Sequence, residues 1–390
     1  MTTAAVGPLV GLKVVDASAV VAGPWASTQL ADLGADVIFV ERVDGADTMR
    51  LTGPVNGEQS GCWVAMHRNK RSLALNLRDQ QAIEILKKLA TESDIFLQNF
   101  RPGVAERLGI GYEDLRAVNP ELIYISISGF GPTGPYANQP VYDPIVQGIS
   151  GAAFAQGGDF FKSIIVDKTT AMTTATAALA AVIARSNGAG GQHIQISLLE
   201  SILAWLWPDV YWNHALPDSE PVPTYSIWYA PYDTADGQIS AVWVSYKQFQ
   251  GAARALGRHD LAEDERFASR EGRLRHSLLM RAEFASALKG LTTEHALAAL
   301  RTADVPSAPV LTLDEVLEDP QVIHTGILLE DVHPTAGRTV TTRPPAHFSK
   351  TPTAITRPAP DRGQHSDEIL AAIGFDAGDI AQLRSDGTII

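Results

Sequence analysis

Cysteine is nearly absent from this sequence: Cys62 is the single example among 390 residues. One cysteine cannot form an internal disulfide framework, and it cannot supply a cysteine-based zinc cluster. The ten histidines show no His-x-x-x-His pair or comparable metal-ligand spacing. We therefore expect neither disulfides nor a metal centre, and this composition fits residence in the cytoplasm.

Long apolar runs and an excess of positive charge are also missing. The longest apolar stretches contain Thr, Ser or Asp and stay below membrane-spanning length. The first eight residues lack the basic and apolar regions of a secretory signal. The formal net charge is −13 at pH 7, which argues against a general nucleic-acid-binding protein. We therefore expect no membrane and no nucleic-acid partner.

Two frequent enzyme motifs are absent as well. A Gly-x-Gly-x-x-Gly fingerprint does not follow the first apolar run, where residues 21–25 read Val-Ala-Gly-Pro-Trp. Its absence disfavours a nicotinamide-dependent oxidoreductase. No Gly-x-Ser-x-Gly elbow occurs, which removes the simplest serine-hydrolase interpretation.

Short apolar runs alternate with longer mixed segments through the first two hundred residues. Strands are predicted at 12–16, 35–41, 94–97, 122–128 and 192–197, and helices at 82–92 and 112–118. A turn at Gly23-Pro24 is expected to separate the first strand from its helix. This β-α-β-α order predicts an α/β protein with a parallel, doubly wound sheet.

The amino-acid composition changes at residues 216–223, which form a polar and Pro-rich connector. From Tyr225 to about Val305 the pattern predicts a hairpin, with its turn at Asp236-Gly237, followed by amphipathic helices. A chain of 390 residues is also too long for one small core. We therefore predict that a second, smaller domain begins near residue 216.

Asp167 is the most informative single residue. Three apolar residues, Ile164-Ile165-Val166, precede it, and an Ala/Thr-rich segment with the composition of a buried helix runs on to about Arg185. A carboxylate at this helix start can accept free backbone N–H groups, which would keep it ionised. The same amides can stabilise an oxyanion on an acyl group that the carboxylate attacks. The local pattern alone favours an ordinary helix cap over a catalytic residue.

A group of cations between residues 42 and 107 is the candidate site for an anionic ligand. An acidic protein needs such a local concentration of positive charge to bind an anion. Taken singly, each of these residues is more often a solvated surface charge than a ligand contact. The cations are Arg42, Arg50, Arg68, Lys70, Arg71, Arg101 and Arg107.

Several separated motifs, in order, make the sequence recognisable. They are Gly23-Pro24, residues 33–38 (Leu-Gly-Ala-Asp-Val-Ile), 40–42 (Val-Glu-Arg), 69–72 (Asn-Lys-Arg-Ser), 99–103 (Asn-Phe-Arg-Pro-Gly), 129–136 (Gly-Phe-Gly-x-x-Gly-Pro-Tyr), 190–192 (Gly-Gly-Gln), Asp236-Gly237, Val305-Pro306, 318–321 (Glu-Asp-Pro-Gln) and 363–365 (Gly-Gln-His). With them the chain resembles, over nearly its whole length, the class III or CaiB/BaiF-type CoA-transferases, which include formyl-CoA and carnitine CoA-transferases.

The resemblance implies a fold and a quaternary structure. It implies a Rossmann-like large domain with a parallel sheet, formed by residues 1–215 and 309–390, and a smaller α+β domain at 216–308. It also implies an interlocked homodimer, in which each chain threads through the other.

The resemblance further implies the site residues. Asp167 falls on the catalytic aspartate of the family, and Tyr142 falls near its acyl pocket. The positions that match CoA contacts of the family are Ala22, Arg42, Lys70, Asn99, Phe100 and Arg107.

The implied reaction is covalent catalysis in two stages. Asp167 attacks an acyl-CoA to give an aspartyl anhydride, and the released CoA then forms an aspartyl-CoA thioester. A small carboxylic acid reverses the sequence and leaves as the new acyl-CoA. Coenzyme A and acyl-CoA are thus substrates, and no tightly bound cofactor is expected.

An α-methylacyl-CoA racemase is the alternative, because racemases are relatives of this family. They carry a histidine at the position of Tyr142, where they need a group for reversible proton transfer. The ordinary tyrosine pKa near 10 is poorly matched to that task at neutral pH. Transfer is therefore favoured. Formyl-CoA transferase also has a glycine loop where residues 228–233 lack glycine and a lysine where this chain has Pro140, so a different acid is expected.

Overall fold

The computed structural model describes residues 6–222 and 229–390. Its contacts divide the chain into two compact units, which are described separately. The first comprises the described residues up to Gly151, with Phe160–Trp205 and His324–Ile390. The second comprises Ala152–Asp159 and Leu206–Ile323. The sequence-based domain limits at residues 216 and 308 remain a prediction about domain organisation.

The strands of the described residues are short and lie mostly in the first unit. They are β1 (Lys13–Ala17), β2 (Asp36–Arg42), β3 (Val55–Asn56), β4 (Gln59–Ser60), β5 (Lys70–Leu75), β6 (Ile95–Gln98), β7 (Ile123–Ser128), β8 (His193–Ser197), β9 (Tyr232–Asp233), β10 (Gln238–Ala241), β11 (Ser307–Pro309), β12 (Leu328–His333) and β13 (Gly337–Thr342).

The helices of the described residues follow the same order. They are α1 (Ala22–Asp32), α2 (Gly61–His67), α3 (Gln80–Thr91), α4 (Val104–Leu108), α5 (Tyr112–Val118), α6 (Asp143–Ile149), α7 (Ala152–Ala155), α8 (Ile165–Ala184), α9 (Leu198–Leu206), α10 (Trp212–Ala215), α11 (Tyr246–Ala255), α12 (His259–Ala262), α13 (Arg270–Arg275), α14 (Ser277–Lys289), α15 (Thr293–Thr302), α16 (Leu313–Glu318), α17 (Pro320–Thr325), α18 (Ser366–Ala372) and α19 (Ala377–Ser385). Short 3₁₀ turns lie at Thr48–Leu51 and Glu265–Phe267.

A six-stranded parallel sheet forms the centre of the first unit, in the order β5-β2-β1-β6-β7-β8. Counted along the chain, this is the order 3-2-1-4-5-6 of Rossmann-type sheets. The predicted parallel sheet is confirmed, and each predicted strand agrees with the structure to within one residue at either end. Because the strand order reverses between β1 and β6, a crevice is expected outside their carboxyl ends.

Helix α3 illustrates how the sheet is covered. Its apolar residues Ile83, Leu86 and Ala90 recur at helical spacing and are buried, while the Asp79 side chain caps its first turn. Helices α18 and α19 add Leu370 and other apolar residues to the same core. At the sheet edge, Ile389 bridges to Leu75 of β5.

The second unit has its own core. Strands β9, β10 and β11 form an antiparallel sheet in the order β11-β10-β9. The predicted hairpin with its turn at Asp236-Gly237 is confirmed, because β9 pairs with β10 across that turn. Trp243, Phe249 and Phe284 are buried in contact between this sheet and its helices. The start of the predicted segment at Tyr225, and the Trp228 position of the expected loop change, lie outside the described residues.

Two absences within residues 6–222 and 229–390 bear on function. No helix in these ranges is long and apolar enough to cross a membrane. No group of three or more His, Cys, Asp or Glu side chains in these ranges is arranged to hold a metal ion.

Candidate active site

A cavity of about 310 Å³ opens at the point where the strand order reverses. Residues that follow the carboxyl ends of β1, β6 and β7 form most of its wall, as expected for a doubly wound sheet. The lining residues are Ala19, Val20, Val21, Ala22, Asn99, Phe100, Arg101, Pro102, Ile127, Ser128, Gly129, Ala137, Gln139, Pro140, Val141, Tyr142, Asp167 and Leu198. All of them belong to the first unit.

The turn between β1 and α1 is held in an unusual conformation. Val20 has φ +70°, a left-handed value that a β-branched residue adopts only under constraint. Side chains from other segments supply that constraint. Asn99 bonds both the N–H and the C=O of Ala19, and Asp47 Oδ2 accepts the N–H of Val20 at 3.2 Å. This part of the cavity wall is therefore fixed before any ligand arrives.

Helix α1 begins at the cavity without a side-chain cap. The structure corrects the expected turn at Gly23-Pro24, because both residues lie in the first turn of this helix. Proline fits there, since the first helical N–H groups have no partner within the helix. Glycine is required at position 23, because a Cβ would lie 2.1 Å from Ser18 Oγ. Ala22, the residue before Gly23, lies on the cavity wall.

Asp167 lies on the cavity wall and is 9% exposed. The predicted helix is confirmed as α8, but Ile164 precedes its first residue and Asp167 is the third residue inside it. The expectation that Asp167 caps the helix is wrong. The expectation that free amides keep it ionised is also wrong, because the N–H groups of Val166 and Asp167 already have a partner.

That partner is Asp143, the first residue of α6. Its Oδ2 accepts the N–H of Val166 at 2.7 Å and the N–H of Asp167 at 3.1 Å. Its other oxygen accepts Nε2 of Gln147 at 2.6 Å. Burial, and after it the negative charge of Asp143, raises the pKa of the Asp167 carboxyl to about 7. Asp167 can therefore change its protonation state near neutral pH.

Tyr142 directly precedes Asp143 and lines the same cavity. It is 65% exposed and occupies the position before the first residue of α6. Gly129 lets this segment approach β7, because a Cβ at residue 129 would lie 2.1 Å from Val141 Cγ1. The structure thus brings Tyr142 and Asp167, the two residues predicted for the acyl side, to one cavity.

Of the six predicted CoA contacts, three line the cavity and three do not. Ala22, Asn99 and Phe100 line the cavity. Arg42 and Arg107 are exposed and do not belong to its lining, and Arg42 forms a two-point ion pair with Asp44.

Lys70 is the sixth predicted contact, and protein surrounds it completely. Its side chain is 0% exposed, donates to Pro24 O at 2.7 Å and lies 3.6 Å from Asp16 Oδ2. Burial lowers the pKa of Lys70 to about 8. In this arrangement the side chain of Lys70 connects β5 to α1. Its contact with CoA stays a prediction.

Two residues of the site were not assigned from the sequence. Asp143 was noted only as part of the Tyr142 segment, and its bonds to α8 cross more than twenty positions along the chain. Arg101 was counted among the cations, and it is the single cation of the described cavity lining. Its place in the Asn-Phe-Arg-Pro-Gly motif after a predicted strand was the signal that could have identified it.

Comparison of the sequence with known families gives a match that spans most of the chain. The profile of CoA-transferase family III matches residues 9–366. This chain belongs to CoA-transferase family III. The predicted membership of the CaiB/BaiF-type family is confirmed, and this family III CoA-transferase is an enzyme that uses CoA thioesters as substrates.

Named relatives and a solved structure agree with this assignment. Succinate–glutarate CoA-transferase of Agrobacterium fabrum is 34% identical over 388 residues, which cover 94% of this family III CoA-transferase and 96% of that protein. Human succinyl-CoA:glutarate CoA-transferase is 30% identical, with 98% and 90% covered. The crystal structure of a CAIB/BAIF family protein from Brucella suis superposes with a TM-score of 0.81 at 30% identity, covering 94% of this chain and 100% of that one.

Proposed function

We propose that this enzyme transfers CoA from an acyl-CoA to a carboxylic acid through covalent intermediates on Asp167. The observation that carries the proposal is the position of Asp167: a buried carboxylate on the wall of a cavity at the reversal point of the sheet. Its raised pKa supports the same role, because a more basic carboxylate is a better nucleophile.

The first stage forms two successive intermediates. A carboxylate oxygen of Asp167 attacks the thioester carbon, a C–O bond forms, and the C–S bond breaks with its electron pair leaving on the CoA thiolate. The thiolate then attacks the side-chain carbonyl carbon of Asp167. A C–S bond forms, the anhydride C–O bond breaks, and the donor acid leaves as a carboxylate.

The second stage repeats these steps in reverse with the acceptor acid. Its carboxylate attacks the aspartyl thioester and releases the CoA thiolate, which then attacks the acceptor carbon of the new anhydride. Asp167 is regenerated as a carboxylate, and no proton is gained or lost overall. The thiolate must stay in the cavity throughout, because its high local concentration makes recapture faster than escape.

The CoA thioester is proposed to lie against the reversal-point wall. Ala22, Asn99 and Phe100 border the cavity there, and Arg101 adds a positive charge suited to an anion. Arg42, Lys70 and Arg107 stay predicted contacts. Tyr142 is proposed to form the acyl side of the cavity.

Short dicarboxylic acids are the proposed acids. The names of several relatives specify succinate, glutarate or oxalate as substrates. A panel of such acids, assayed with succinyl-CoA or acetyl-CoA as donor and compared with monocarboxylates of equal length, tests this choice.

A homodimer, with the interlocked arrangement of the family, is part of the proposal. Support comes from apolar side chains that α6 and α8 leave exposed, among them Ile145, Ile149, Met172 and Ile183. Light scattering on the purified protein is expected to give twice the mass of the chain, and a monomer at micromolar concentration would contradict the proposal. Cytoplasmic residence, expected from the composition, also stays a prediction.

Trapping tests the nucleophile directly. The enzyme is incubated with acyl-CoA, quenched with hydroxylamine or borohydride, and digested for mass spectrometry. A modified Asp167 is expected in the wild type, and Asp167→Asn is expected to lose the adduct and at least about a thousandfold in kcat. An adduct at another residue would overturn the assignment. Exchange of deuterium into the α-carbon without acyl transfer would instead support the racemase alternative.

A further inference from the structure

Asp143 and Asp167 are neighbouring carboxylates on the first unit. Asp143 is 2% exposed, and its Oδ2 lies 3.1 Å from the backbone nitrogen of Asp167. In the described residues, neither carboxylate takes part in a salt bridge. Asp143 is the acceptor in three hydrogen bonds, from the amides of Val166 and Asp167 and from Gln147.

Gln147 is a third donor to Asp143, in addition to the two amides of α8. It is buried, and its Nε2 donates to Asp143 Oδ1 at 2.6 Å and to the carbonyls of Phe161 and Ser163. Its Oε1 accepts the N–H of Phe161 at 2.8 Å. Gln147 thus fastens α6 to the segment that leads into α8. The second carboxylate is a fixed part of the site.

Among the described residues, the cations on and beside α8 bond other groups. The elements packed most closely against α8 are α1, α6, β7, β8 and the helical turn Arg185–Ala189 that follows it. Their charged or titratable side chains besides Asp143 are Asp32 on α1, Tyr124 on β7, His193 on β8 and Arg185, which is paired with Asp94. Asp32 is paired with Arg68. On α8 itself, the ammonium group of Lys168 bonds Ser163 Oγ at 3.0 Å.

We infer that Asp143 is a positioning residue that favours the covalent states of Asp167, because it places a second negative charge beside a carboxylate that becomes neutral when it is acylated. The inference rests on the proposed function. In both the anhydride and the thioester, the side chain of Asp167 carries no charge. Acylation therefore removes the like-charge repulsion and the cost of keeping an ionised group buried. Asp143 raises the energy of the free carboxylate and leaves the intermediates nearly unaffected.

A purely structural role for Asp143 is the competing explanation, because the residue also caps the first amides of α8. Asp143→Asn separates the two roles. Asparagine caps helix amides as well as aspartate does, but it brings no charge. Asp143→Ser, which also caps, serves as the second uncharged variant if the asparagine variant does not fold. Gln147→Met is the matched control, since it removes one donor to Asp143 while the amides of Val166 and Asp167 still hold the charged group in place.

The test combines a pH profile with mass spectrometry of the intact protein. In Asp143→Asn the acid limb of kcat/KM is expected to move to lower pH by about one unit, because a like charge near Asp167 is gone. The fraction of enzyme that carries the covalent adduct at saturating acyl-CoA is expected to fall about tenfold, because one pKa unit corresponds to a tenfold change in an equilibrium constant. Gln147→Met is expected to lower kcat without moving the acid limb.

The outcomes distinguish the inference from the proposed function. If the wild type forms no adduct on Asp167, the proposed nucleophile is wrong and the inference fails with it. If the adduct forms but the uncharged variants keep the wild-type acid limb and the wild-type modified share, only the inference is overturned. A shift of the acid limb in Gln147→Met equal to that in Asp143→Asn would likewise overturn it, because the charge would then be irrelevant.

Discussion

The carboxamide of Asn99 bonds both backbone polar groups of Ala19. Its Oδ1 accepts the N–H at 2.9 Å and its Nδ2 donates to the C=O at 2.7 Å. This two-point contact joins the segment after β6 to the segment after β1, across the point where the strand order reverses. The neighbouring Val20 keeps its left-handed conformation because the turn is fixed on both sides.

Asn99→Ala is expected to lower the free energy of unfolding by about 1–2 kcal/mol, since two hydrogen bonds are lost. It is also expected to raise KM for acyl-CoA severalfold, because the turn relaxes and the cavity wall moves. Adding Val20→Gly is expected to restore KM, since glycine adopts a positive φ without strain. Urea unfolding and steady-state kinetics measure both effects.

Asn119→Ala is the matched control for this series. Asn119 also uses its carboxamide to hold backbone, at Ala90 and Ser93, but it does not line the cavity. It is expected to destabilise the fold and leave KM unchanged. If Val20→Gly does not rescue Asn99→Ala, Asn99 acts on the ligand directly.

The activity of the wild type is expected to depend on the protonation of Asp167. Only the carboxylate attacks a thioester, and the pKa of this group is raised to about 7 by burial and by Asp143. The rate constant kcat/KM is therefore expected to rise with pH up to about 7 and to level off above it. A profile that is flat down to pH 5 would contradict the raised pKa.

The stability of the fold is expected to fall as pH rises through the same range. Between pH about 4 and about 7 the folded state binds a proton at Asp167 that the unfolded chain releases, so the folded state loses stability with increasing pH. Asp167→Asn removes this penalty. It is expected to be more stable than the wild type at pH 8, by at most about 4 kcal/mol, because each pKa unit corresponds to about 1.4 kcal/mol.

Urea unfolding at pH 5 and pH 8 checks this prediction. The gain of Asp167→Asn is expected to be smaller at pH 5, because only the first part of the penalty that builds up between pH about 4 and about 7 is present there. Asp218→Asn, at an exposed carboxylate of the second unit, is expected to show no such dependence on pH. An equal gain at both pH values would mean that the amide acts through packing and not through charge.

A buried ion pair supports the fold near β2. Arg50 donates to both oxygens of Glu41 at 2.9 and 2.8 Å and lies 3.7 Å from the centre of the Trp63 ring. Arg50→Met is expected to lower the free energy of unfolding by about 3–5 kcal/mol, because the carboxylate of Glu41 stays buried without its partner. Thermal unfolding measures the loss. Arg338→Met, which breaks the exposed pair with Glu330, is the control and is expected to change the midpoint much less.

The strands could be predicted from the sequence because their information is local. The run Val-Ile-Phe-Val at residues 37–40 is apolar on both faces, which is typical of a buried parallel strand. The positions of α3 and α5 followed from helical spacing in the same way. The reversal of the strand order was not predictable from periodicity, because it depends on which strands pair.

The environment of Asp167 shows what local patterns omit. Its helix was predictable, but the group that caps the helix comes from Asp143 on another element. Lys70 is a second example. Neighbours Lys70 and Arg71 look alike in sequence, yet successive residues of a strand face opposite sides, and only Lys70 is fully buried. The resemblance identified the residue types, and tertiary structure determined which of them meet the cavity.

The order of strands in the sheet also has a consequence for how the enzyme regains activity after denaturation. Ala19 and Asn99 meet although 80 positions separate them, and the cavity additionally needs Tyr142, Asp167 and Leu198. Contacts of such long sequence separation form slowly, because a large loop must close before they contribute stability. Transferase activity is therefore expected to return only after the whole sheet has formed. Its recovery after dilution from urea is expected to follow the slowest strand pairing of the chain and to come later than the recovery of the helical signal.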